Sequence, residues 1–495
     1  MSRVIVVGAG VGGLSAAARL AAGGHEVTVC EQAEAIGGKL GRLERVTEAG
    51  TFRFDTGPSL LTMPEVFADL FAATGEQWPA GLELHPLDPV IRHRFADGTR
   101  LDTAGDLDVT SARMDAAFGP PAGADWRRLA AHTERIWEAV RRPFLESPIG
   151  GVRDLARHAV RIGDLRTIAP GRTLRWLGER YLTDPRQRTL FERYATYTGS
   201  DPRRAPAALG VVPYVEQRFG GWYLRGGLGT LADELAHRVG ALGGKIRTGA
   251  GVSRIETAGD KVSGVLLAGG GRLPADVVVA NADADHVYRD LLPQPSLLRR
   301  MRRSTPSLSA FVLLLGVRGR TPNLAHHNVL FPAAYDDEFD AIFGDPAAPV
   351  ADPTIYVSVP DDPVVRPDEH EAWFVLVNAP RHGHGPGAVD WDSPALRGSY
   401  AGRLLGLLAG RGLPVADRLL FSHAITPADL ARATRAPGGA IYGSSSNGAR
   451  SAFLRPPNRS PVRGLFLVGG STHPGGGLPL VVLSARIVDR LIGPT

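Results

Sequence analysis

Apolar and polar residues follow a regular order near the start of the chain. A β-branched run, Val4 to Val7, is followed by an alanine-rich stretch that ends at Gly23 and Gly24, and a second apolar run closes at Glu31. Strand-like runs joined by one helical stretch are typical of a βαβ unit with parallel strands. The pattern therefore predicts an α/β fold that begins with such a unit.

Similar runs return later in the chain. An amphipathic helix is predicted to end at Val239, and a helical pattern near the C-terminus ends at Arg490. Between these helices, Leu465 to Val468 has the composition of a buried strand. The other short strands predicted are 245–247, 252–255, 262–267 and 277–280. One parallel sheet is therefore expected to draw its strands from distant parts of the chain.

Two longer apolar runs predict a second sheet. Ala310 to Leu315 and Trp373 to Leu376 have the composition of buried strands. They lie between the stretches assigned to the first sheet, so we expect them to belong to a separate, inserted domain.

Composition limits the class of protein. The chain has 495 residues, 43% apolar and 22% charged, values that exclude a disordered or fibrous protein and leave room for about two to four domains. The single cysteine, Cys30, excludes an internal disulfide and fits a reducing compartment. No secretory leader pattern precedes Val4, and every apolar run is shorter than the roughly 18–20 residues that span a bilayer. A cytoplasmic protein is expected, with at most peripheral membrane contact.

Gly8, Gly10 and Gly13 have the GxGxxG spacing of a dinucleotide-binding turn, between the first strand and the first helix. The first glycine permits a tight turn, the second lets the backbone approach a pyrophosphate, and the third lets the helix meet the strand. Glu31 closes the second strand, where a carboxylate can accept hydrogen bonds from ribose hydroxyls. The turn predicts a dinucleotide site but does not separate NAD from FAD.

Three further segments favour FAD. Ile36 to Lys39 and Phe54 to Ser59 are suited to loops around the second half of an extended cofactor. Ser471 to Pro479 is a glycine-rich loop between a strand and a helix, and a helix N-terminus binds anions.

Several runs together resemble the bacterial phytoene desaturase family of FAD-dependent carotenoid desaturases. They are GAGVGGLSAAARLA (8–21), GGK (37–39), RYATYTGS (193–200), GGLG (226–229), VNAP (377–380), FLRPPNRS (453–460) and LFLVGGSTHPGGGLPLV (465–481). These runs cover nearly the whole chain. The RYATYTGS and VNAP runs are most similar to the branch that introduces 3,4-double bonds into hydroxylated or methoxylated acyclic carotenoids.

The resemblance implies an α/β, Rossmann-like FAD-binding domain of the flavin amine oxidase and GDP-dissociation inhibitor type, with an inserted mixed-sheet substrate domain. The implied boundaries are 1–70, 215–285 and 440–495 for the FAD-binding domain, 71–120 and 286–439 for the substrate domain, and 121–214 for a helical, basic, membrane-facing subdomain. The residues implied to bind FAD are Gly8, Gly10, Gly12, Gly13, Leu14, Glu31, Gly37, Gly38, Lys39, Gly57, Pro58, Ser59, Val252, Gly469, Gly470, Gly477, Leu478 and Pro479.

The implied reaction belongs to carotenoid biosynthesis. A hydride passes from an allylic carbon of a phytoene-type or 1-hydroxylated acyclic carotenoid to flavin N5, and a proton leaves the neighbouring carbon. The sequence has no second strand-GxGxxG-helix unit for NADPH, so oxygen or a membrane quinone is the expected electron acceptor. No catalytic base is identified, and His473 in the C-terminal loop is the polar candidate.

No metal site is predicted. His326 with His327, and His382 with His384, have no acid or cysteine at ligand spacing, and all four are expected to be loop residues.

A basic segment predicts contact with an anionic membrane surface. Residues 141–190 contain eleven arginines and five acids, a net charge of +6, whereas the whole chain carries +5. Apolar residues such as Trp176 and Leu177 are interleaved with the arginines, as in helices that lie on a bilayer. The alternative is a solvated helical face. No nucleic-acid motif accompanies the segment, so nucleic acid is not an expected partner.

Three other functions stay open on the same scaffold: a carotenoid isomerase or oxygenase, a flavin amine oxidase, and a non-enzymatic prenyl-lipid carrier similar to the GDP-dissociation inhibitors. Amine oxidases usually place an acid after the last glycine strand, where this chain has Gly470 and Ser471. The complete glycine turn and Glu31 argue against the carrier.

Overall fold

The computed structural model of the protein describes residues 1–149, 162–385, 387–448 and 455–495, without the side chains of residues 162, 163 and 165. The strands are β1 Arg3–Val7, β2 Glu26–Cys30, β3 Arg42–Thr47, β4 Gly50–Asp55, β5 Leu84–Pro86, β6 Ile91–Arg94, β7 Arg100–Thr103, β8 Trp222–Leu224, β9 Lys245–Arg247, β10 Val252–Ala258, β11 Lys261–Leu267, β12 Arg272–Pro274, β13 Val277–Ala280, β14 Ser309–Arg318, β15 His327–Leu330, β16 Ile355–Ser358, β17 His370–Ala379, β18 Leu419–Ile425 and β19 Leu465–Leu467. The helices are α1 Val11–Ala22, α2 Pro64–Ala73, α3 Leu107–Phe118, α4 Ala122–Val140, α5 Ile162–Ile168, α6 Leu174–Tyr181, α7 Pro185–Arg193, α8 Val211–Phe219, α9 Gly229–Ala241, α10 Ala284–His286, α11 Pro295–Met301, α12 Asp336–Phe343, α13 Pro394–Gly410, α14 Pro427–Thr434 and α15 Leu478–Ile492.

A parallel sheet of order β19-β13-β1-β2-β9 carries the glycine turn. Val4 and Val6 of β1 point to the face covered by α1, α9 and α15, whereas Ile5 and Val7 point to the face covered by the antiparallel sheet β10-β11-β12. Apolar residues on both faces of a strand are expected in a parallel sheet, because both faces are covered. The chain leaves this sheet after β2, after β9 and after β13 and returns to it each time, so distant segments meet at one edge.

The second sheet is mixed and has the order β18-β14-β17-β16-β15-β6-β7. Its long central pair, β14 and β17, is antiparallel. One face packs against α13 through Phe311 and Leu404, and the opposite face packs against Phe52 and Phe54 of β4. The second face is therefore on the side of the loop that follows β4, which contains Gly57 to Ser59 and is predicted to bind the cofactor.

The described part of the basic segment is largely helical. The prediction placed its apolar side chains at a membrane surface, but several of them are buried in the protein. Leu174, Leu177 and Leu182 are at most 1% exposed and pack with Leu190 and Phe191 in the core of the helical region. Each of these helices is short and has a single apolar stripe, and that stripe packs against the protein interior. The part of the segment at 150–161 lies outside the described residues.

Among the helices described, none combines the length and the apolar composition that crossing a bilayer requires.

Candidate functional site

Glu31 lies directly beside the glycine turn that joins β1 to α1. One carboxylate oxygen accepts the Ala9 N–H at 2.7 Å and the other accepts the Ala33 N–H at 3.0 Å. A carboxylate oxygen has two acceptor positions, so each oxygen can accept a further donor. Glu31 is only 7% exposed, which holds the carboxylate in place. This arrangement suits a ribose with two hydroxyl groups.

The start of α1 leaves no room for side chains. A Cβ on Gly13 would collide with the carbonyl oxygen of Gly8, and a Cβ on Gly12 would lie 2.8 Å from Val481 Cγ1. The first contact packs the helix against the strand, and the second shows that the first turns of α1 and α15 approach each other. Two helix N-termini at one place offer free N–H groups and positive partial charge, which suits a pyrophosphate.

Asn281 follows β13 and lies among the glycines of the turn. Its Nδ2 donates to the carbonyl oxygen of Gly8 at 3.4 Å. A Cβ on Gly10 would lie 2.9 Å from this Nδ2, and a Cβ on Gly469 would lie 2.8 Å from the Asn281 Oδ1. Asn281 is not among the site residues predicted from the sequence. Its signal was its place directly after the predicted strand 277–280, because ligands bind at the carboxyl ends of parallel strands.

The segment 37–39 makes the next contact with the turn. The Gly37 N–H donates to the carbonyl oxygen of Ala9 at 2.9 Å, and the Lys39 Nζ donates to the carbonyl oxygen of Ile441. Lys39 therefore connects the N-terminal part of the site to the C-terminal segment.

The segment Gly57 to Ser59 follows Asp55 at the end of β4. The Asp55 carboxylate accepts the N–H groups of Leu228 and Gly229 at 2.7 and 2.9 Å, at the start of α9. Burial raises the pKa of Asp55 to about 6. The predicted cofactor loop is thus tied to the GGLG run, which is far away in sequence.

The predicted C-terminal residues lie at the two ends of one loop: Gly469 and Gly470 follow β19, and Gly477, Leu478 and Pro479 are at the start of α15. Ser471 stands where amine oxidases usually carry an acid, and its Oγ accepts the Ala284 N–H at 3.0 Å. Asp283 directly precedes Ala284. The segment that follows β13 therefore places an acidic residue close to Ser471.

Lys39, Asp283 and Arg455 form a charged group beside this loop. Asp283 Oδ1 accepts the Asp285 N–H at 3.0 Å, whereas its buried Oδ2 has no hydrogen-bond partner in the described part of the chain. Arg455 Nη1 donates to the carbonyl oxygen of Gly470 at 3.1 Å. Burial raises the pKa of Asp283, lowers that of Lys39, and lowers that of Arg455 to about 10. Two cations beside one acid suit an anionic cofactor.

His473 is enclosed by the segment that follows α4. Its Nε2 lies 2.9 Å from the carbonyl oxygen of Ser147, its ring meets the Phe144 ring edge to face, and the residue is 3% exposed. Burial lowers its pKa to about 4, so the imidazole is neutral at pH 7 and Nε2 donates to the carbonyl. The contact fastens the helical region to the C-terminal loop, and a direct catalytic role stays a prediction.

Val252 begins β10 and is partly buried. Two residues before it, the Ala250 N–H donates to the backbone carbonyl oxygen of Glu31 at 2.8 Å. The segment therefore lies at the ribose end of the site, where a backbone contact to adenine was expected; that contact stays a prediction.

A second polar group lies deep in the molecule, at the start of the RYATYTGS run. Arg193 is 7% exposed and its Nη1 donates to the Tyr197 hydroxyl at 2.8 Å. The guanidinium also lies over the Tyr356 ring, 6.0 Å from its centroid, and the Tyr356 hydroxyl lies 2.6 Å from Ser59 Oγ. The charge of Arg193 interacts with that of the buried Glu216, whose Oε1 accepts the Tyr194 O–H at 2.6 Å. This group connects the predicted cofactor loop to the second sheet.

The histidine pairs differ from the sequence expectation. His327 is not a loop residue: it begins β15, is fully buried, and its Nδ1 lies 2.7 Å from the Tyr356 hydroxyl. His382 and His384 lie outside the strands and helices, as expected. The fold places Asp390 close to both, so acids are present in space although they are not at ligand spacing along the chain.

FAD fits the residues that are present. The backbone at Gly12 and Gly13 admits no side chain, Glu31 keeps acceptor capacity for a ribose, and Asp283 has a buried oxygen without a partner. Lys39 and Arg455 supply positive charge near the glycine loop. Together these groups match a cofactor with a ribose, a pyrophosphate and a polar ring edge.

Comparison with known proteins supports this reading. The family model described as flavin containing amine oxidoreductase matches residues 11–349. A hydroxyneurosporene desaturase from Rhodobacter capsulatus is 36% identical, covering 99% of this chain and 97% of the relative. A 4,4'-diapolycopene oxygenase from a Methylomonas species is 33% identical, covering 99% and 98%. The fold is similar to that of an oxidoreductase from Methanosarcina mazei, with a TM-score of 0.64, 17% identity, and coverage of 99% and 100%.

The cofactor, the enzyme class and the resemblance drawn from the motifs are thereby confirmed, and a non-enzymatic carrier is disfavoured. The chain belongs to the flavin-containing amine oxidoreductase family, in its group of FAD-dependent carotenoid desaturases.

Proposed function

We propose that this protein introduces a double bond into an acyclic carotenoid, with a phytoene-type or 1-hydroxylated carotenoid as substrate. The observation that carries the proposal is the glycine-lined dinucleotide site next to a buried polar group, in a chain 36% identical to a hydroxyneurosporene desaturase. Bound FAD would accept the hydride removed from an allylic carbon, while a proton leaves the neighbouring carbon.

In this scheme the residues of the protein bind the cofactor and orient it. Glu31 would hold the ribose, the first turns of α1 and α15 the pyrophosphate, and Lys39 with Arg455 would face the anionic parts of the cofactor. Ser59 connects the cofactor loop to Tyr356 of the second sheet. The proton acceptor is not assigned to a residue.

We propose further that Arg193 recognises an oxygenated end of the substrate. The Arg193 guanidinium is buried and its charge interacts with Glu216 and the neighbouring tyrosines, and an oxygen acceptor on the ligand would add a hydrogen bond to one of its N–H groups. Tyr197, Tyr356 and Ser59 place hydroxyl groups around it. A hydroxylated end could hydrogen-bond to this polar group, whereas a hydrocarbon end could not, so a 1-hydroxylated carotenoid is the preferred substrate.

The test compares Arg193→Met with wild type on a 1-hydroxylated carotenoid and on phytoene, with products identified by their visible spectra and masses. A lost hydrogen bond to a charged group predicts a fall of about 10–100-fold in kcat/KM for the hydroxylated substrate and a smaller change for phytoene. Arg204→Met, at an exposed arginine, is the matched control. Equal losses on both substrates, with an unchanged flavin spectrum, would contradict this role.

An oxygenase on the same scaffold is the second candidate, because the chain is also 33% identical to a 4,4'-diapolycopene oxygenase. Mass analysis separates the two: desaturation removes two hydrogens, whereas oxygenation adds oxygen to the product. A hydroxylated or carbonyl product from a hydrocarbon substrate would replace the desaturase proposal.

We propose that a groove on the helical region binds anionic lipid headgroups. It has a volume of about 510 Å³, and none of the described residues that line it is acidic. Arg172 and Arg180 stack over the Trp176 ring, at 5.2 and 5.7 Å from its centroid, inside this groove. Cationic side chains beside an aromatic ring suit the interface of an anionic bilayer, from which a carotenoid could enter.

Sedimentation with phosphatidylglycerol vesicles tests this surface. The variant Arg172→Gln/Arg180→Gln should bind less than wild type at low salt, and wild-type binding should fall as salt rises. Arg302→Gln/Arg303→Gln removes the same charge from another exposed site and should bind as wild type does. Equal binding of both variants would exclude the groove.

We also propose oxygen or a membrane quinone as the electron acceptor, because the sequence has no second GxGxxG unit for a nicotinamide cofactor. Anaerobic turnover with and without added quinone tests this, with NADP⁺ as the alternative acceptor. Turnover supported by NADP⁺ alone would overturn it.

A further inference from the structure

A cluster of histidines and aspartates lies apart from the dinucleotide site, in the connection between β17 and α13. It consists of His382, His384, Asp390 and Asp392. One ligand atom from each residue lies within 4.8 Å of the others. Imidazole nitrogens and carboxylate oxygens are the ligands that zinc and similar metal ions prefer.

The local backbone explains why these side chains meet. Two short runs lie side by side, since the Gly383 N–H donates to the carbonyl oxygen of Val389 at 3.1 Å. In extended chain, residues two apart point to the same side. The histidines therefore share one side of the first run, and the aspartates share one side of the second.

Trp391, between the two aspartates, anchors the second run. It is fully buried, and its Nε1 donates to the carbonyl oxygen of Pro380 at 2.9 Å. The first run is also attached to the fold, because the backbone N–H of His382 donates to the carbonyl oxygen of Gly438 at 2.9 Å. The cluster is thus attached to the fold at both ends, although His384 itself is 68% exposed.

The distances are close to those of a metal site. The Asp390 Oδ1 lies 3.9 Å from His382 Nδ1 and 3.6 Å from His384 Nδ1. Ligand atoms at about 2.0–2.1 Å from a tetrahedral zinc ion lie about 3.4 Å from each other. A contraction of about 0.2–0.5 Å would therefore bring Asp390 Oδ1 to the ligand spacing from each histidine nitrogen, and the ligand atoms of the cluster all lie within 4.8 Å of one another.

Asp392 is placed behind His382 as a positioning residue. Its Oδ2 lies 3.5 Å from His382 Nε2, while its Oδ1 is paired with Arg432. A carboxylate beside Nε2 favours the tautomer that carries the proton on Nε2 and a lone pair on Nδ1, the atom that would bind a metal. In this structure the Nδ1 lone pair accepts the backbone N–H of Trp391 at 3.2 Å, and an ion bound at Nδ1 would replace that hydrogen bond.

We propose that His382, His384 and Asp390 bind a divalent transition-metal ion, Zn²⁺ by ligand chemistry, with water as the fourth ligand and Asp392 as the second-shell partner of His382. Two nitrogen ligands disfavour Mg²⁺ and Ca²⁺, which prefer oxygen. The ion would brace the connection between the second sheet and α13. Its role is structural, and it does not depend on the carotenoid chemistry proposed above.

Isothermal titration of the tag-free, FAD-loaded protein with ZnCl₂ tests the site. Wild type should bind one Zn²⁺ with a rise in unfolding temperature, and MgCl₂ should produce neither effect. His384→Ala should weaken Zn²⁺ binding at least about tenfold, and Asp392→Asn about 10–100-fold, as second-shell losses do. His423→Ala removes another exposed histidine, outside the cluster, and should bind as wild type does.

Co²⁺ supplies a spectroscopic readout. The visible bands of a four-coordinate ion should appear in wild type and be absent in His384→Ala. Equal Zn²⁺ affinity in wild type and His384→Ala, or wild-type binding no stronger than that of Mg²⁺, would overturn the proposal. Because His384 is exposed, its replacement leaves the core intact, and the FAD spectrum of the variant verifies folding.

Discussion

At the scale of single residues, Glu31 shows how the protein holds one side chain of the proposed cofactor site in place. It is buried, and both of its oxygens already accept a backbone N–H, from Ala9 and Ala33. The carboxylate is therefore held in one orientation before a ligand binds. Such preorganisation increases affinity, because less conformational entropy is lost on binding.

We expect Glu31→Ala to weaken FAD binding by about 10–100-fold, because hydrogen bonds to a charged acceptor contribute about 1.5–3 kcal/mol. Quenching of flavin fluorescence on titration into the FAD-free protein measures this change. Glu34→Ala, at an exposed acid in the same segment, is the matched control. Unchanged affinity in the Glu31 variant would remove this residue from the site.

Asp55 gives the fold a pH dependence. Desolvation raises its pKa to about 6 from 3.8, so the folded state holds the proton more tightly than the unfolded chain. Its contribution to stability is therefore complete below about pH 4 and is lost as the pH rises through 6. Compared with Asp55→Asn, the wild-type free energy of unfolding should fall by about 3 kcal/mol from pH 4 to pH 7.

Urea unfolding of both proteins across this range gives the difference. A constant difference from pH 4 to pH 7 would show that Asp55 is not desolvated as described.

At the scale of elements, the two faces of α6 (Leu174–Tyr181) differ in their surroundings. Leu174 and Leu177 are fully buried, whereas Arg180 lines the cationic groove. An arginine-rich helix with an apolar stripe is often assumed to place that stripe in the membrane. In α6 the apolar stripe packs in the protein core instead. Stability and lipid binding should therefore respond to different residues of one helix.

Leu177→Ala should lower the free energy of unfolding by about 2–5 kcal/mol through the loss of packing and a cavity. Arg180→Gln should change stability by less than about 0.5 kcal/mol, because surface substitutions have small effects. Denaturant unfolding measures both. If Leu177→Ala unfolds like wild type, the helix does not pack as described.

At the scale of the whole molecule, the cofactor site joins segments that are far apart in the chain. β1 and β2 lie near the N-terminus, β13 (Val277–Ala280) lies in the middle of the chain, and β19 is close to the C-terminus. Lys39 and Asn281 each contact residues from another of these segments. A ligand at their meeting point should stabilise the entire fold.

FAD at about 100 times its dissociation constant should stabilise the folded state by about 2.7 kcal/mol. Chemical unfolding with and without FAD measures this gain. Glu31→Ala should show a smaller gain at the same FAD concentration, because its affinity is lower. Equal stability of the FAD-free and FAD-loaded wild type would contradict a site that connects these segments.

The sequence by itself determined the α/β class, the glycine turn with its flanking strands, and the family. These features are local, because Gly8 to Glu31 form one continuous βαβ unit whose spacing fixes its geometry. The strands of the second sheet could also be predicted, because β14 and β17 contain the continuous apolar runs Ala310 to Leu315 and Trp373 to Leu376.

The tertiary structure alone decided which distant side chains meet. Asn281 reaches the glycine turn and Asp283 lies near Lys39 because β13 pairs with β1, and Arg193 meets Tyr356 because α7 ends beside the second sheet. His384 and Asp390 are close because a buried tryptophan folds the connection back on itself. Hydrophobic period predicts which face of an element is buried, but it carries no information on which other element covers that face. These contacts therefore follow from strand order and packing, which depend on the whole chain.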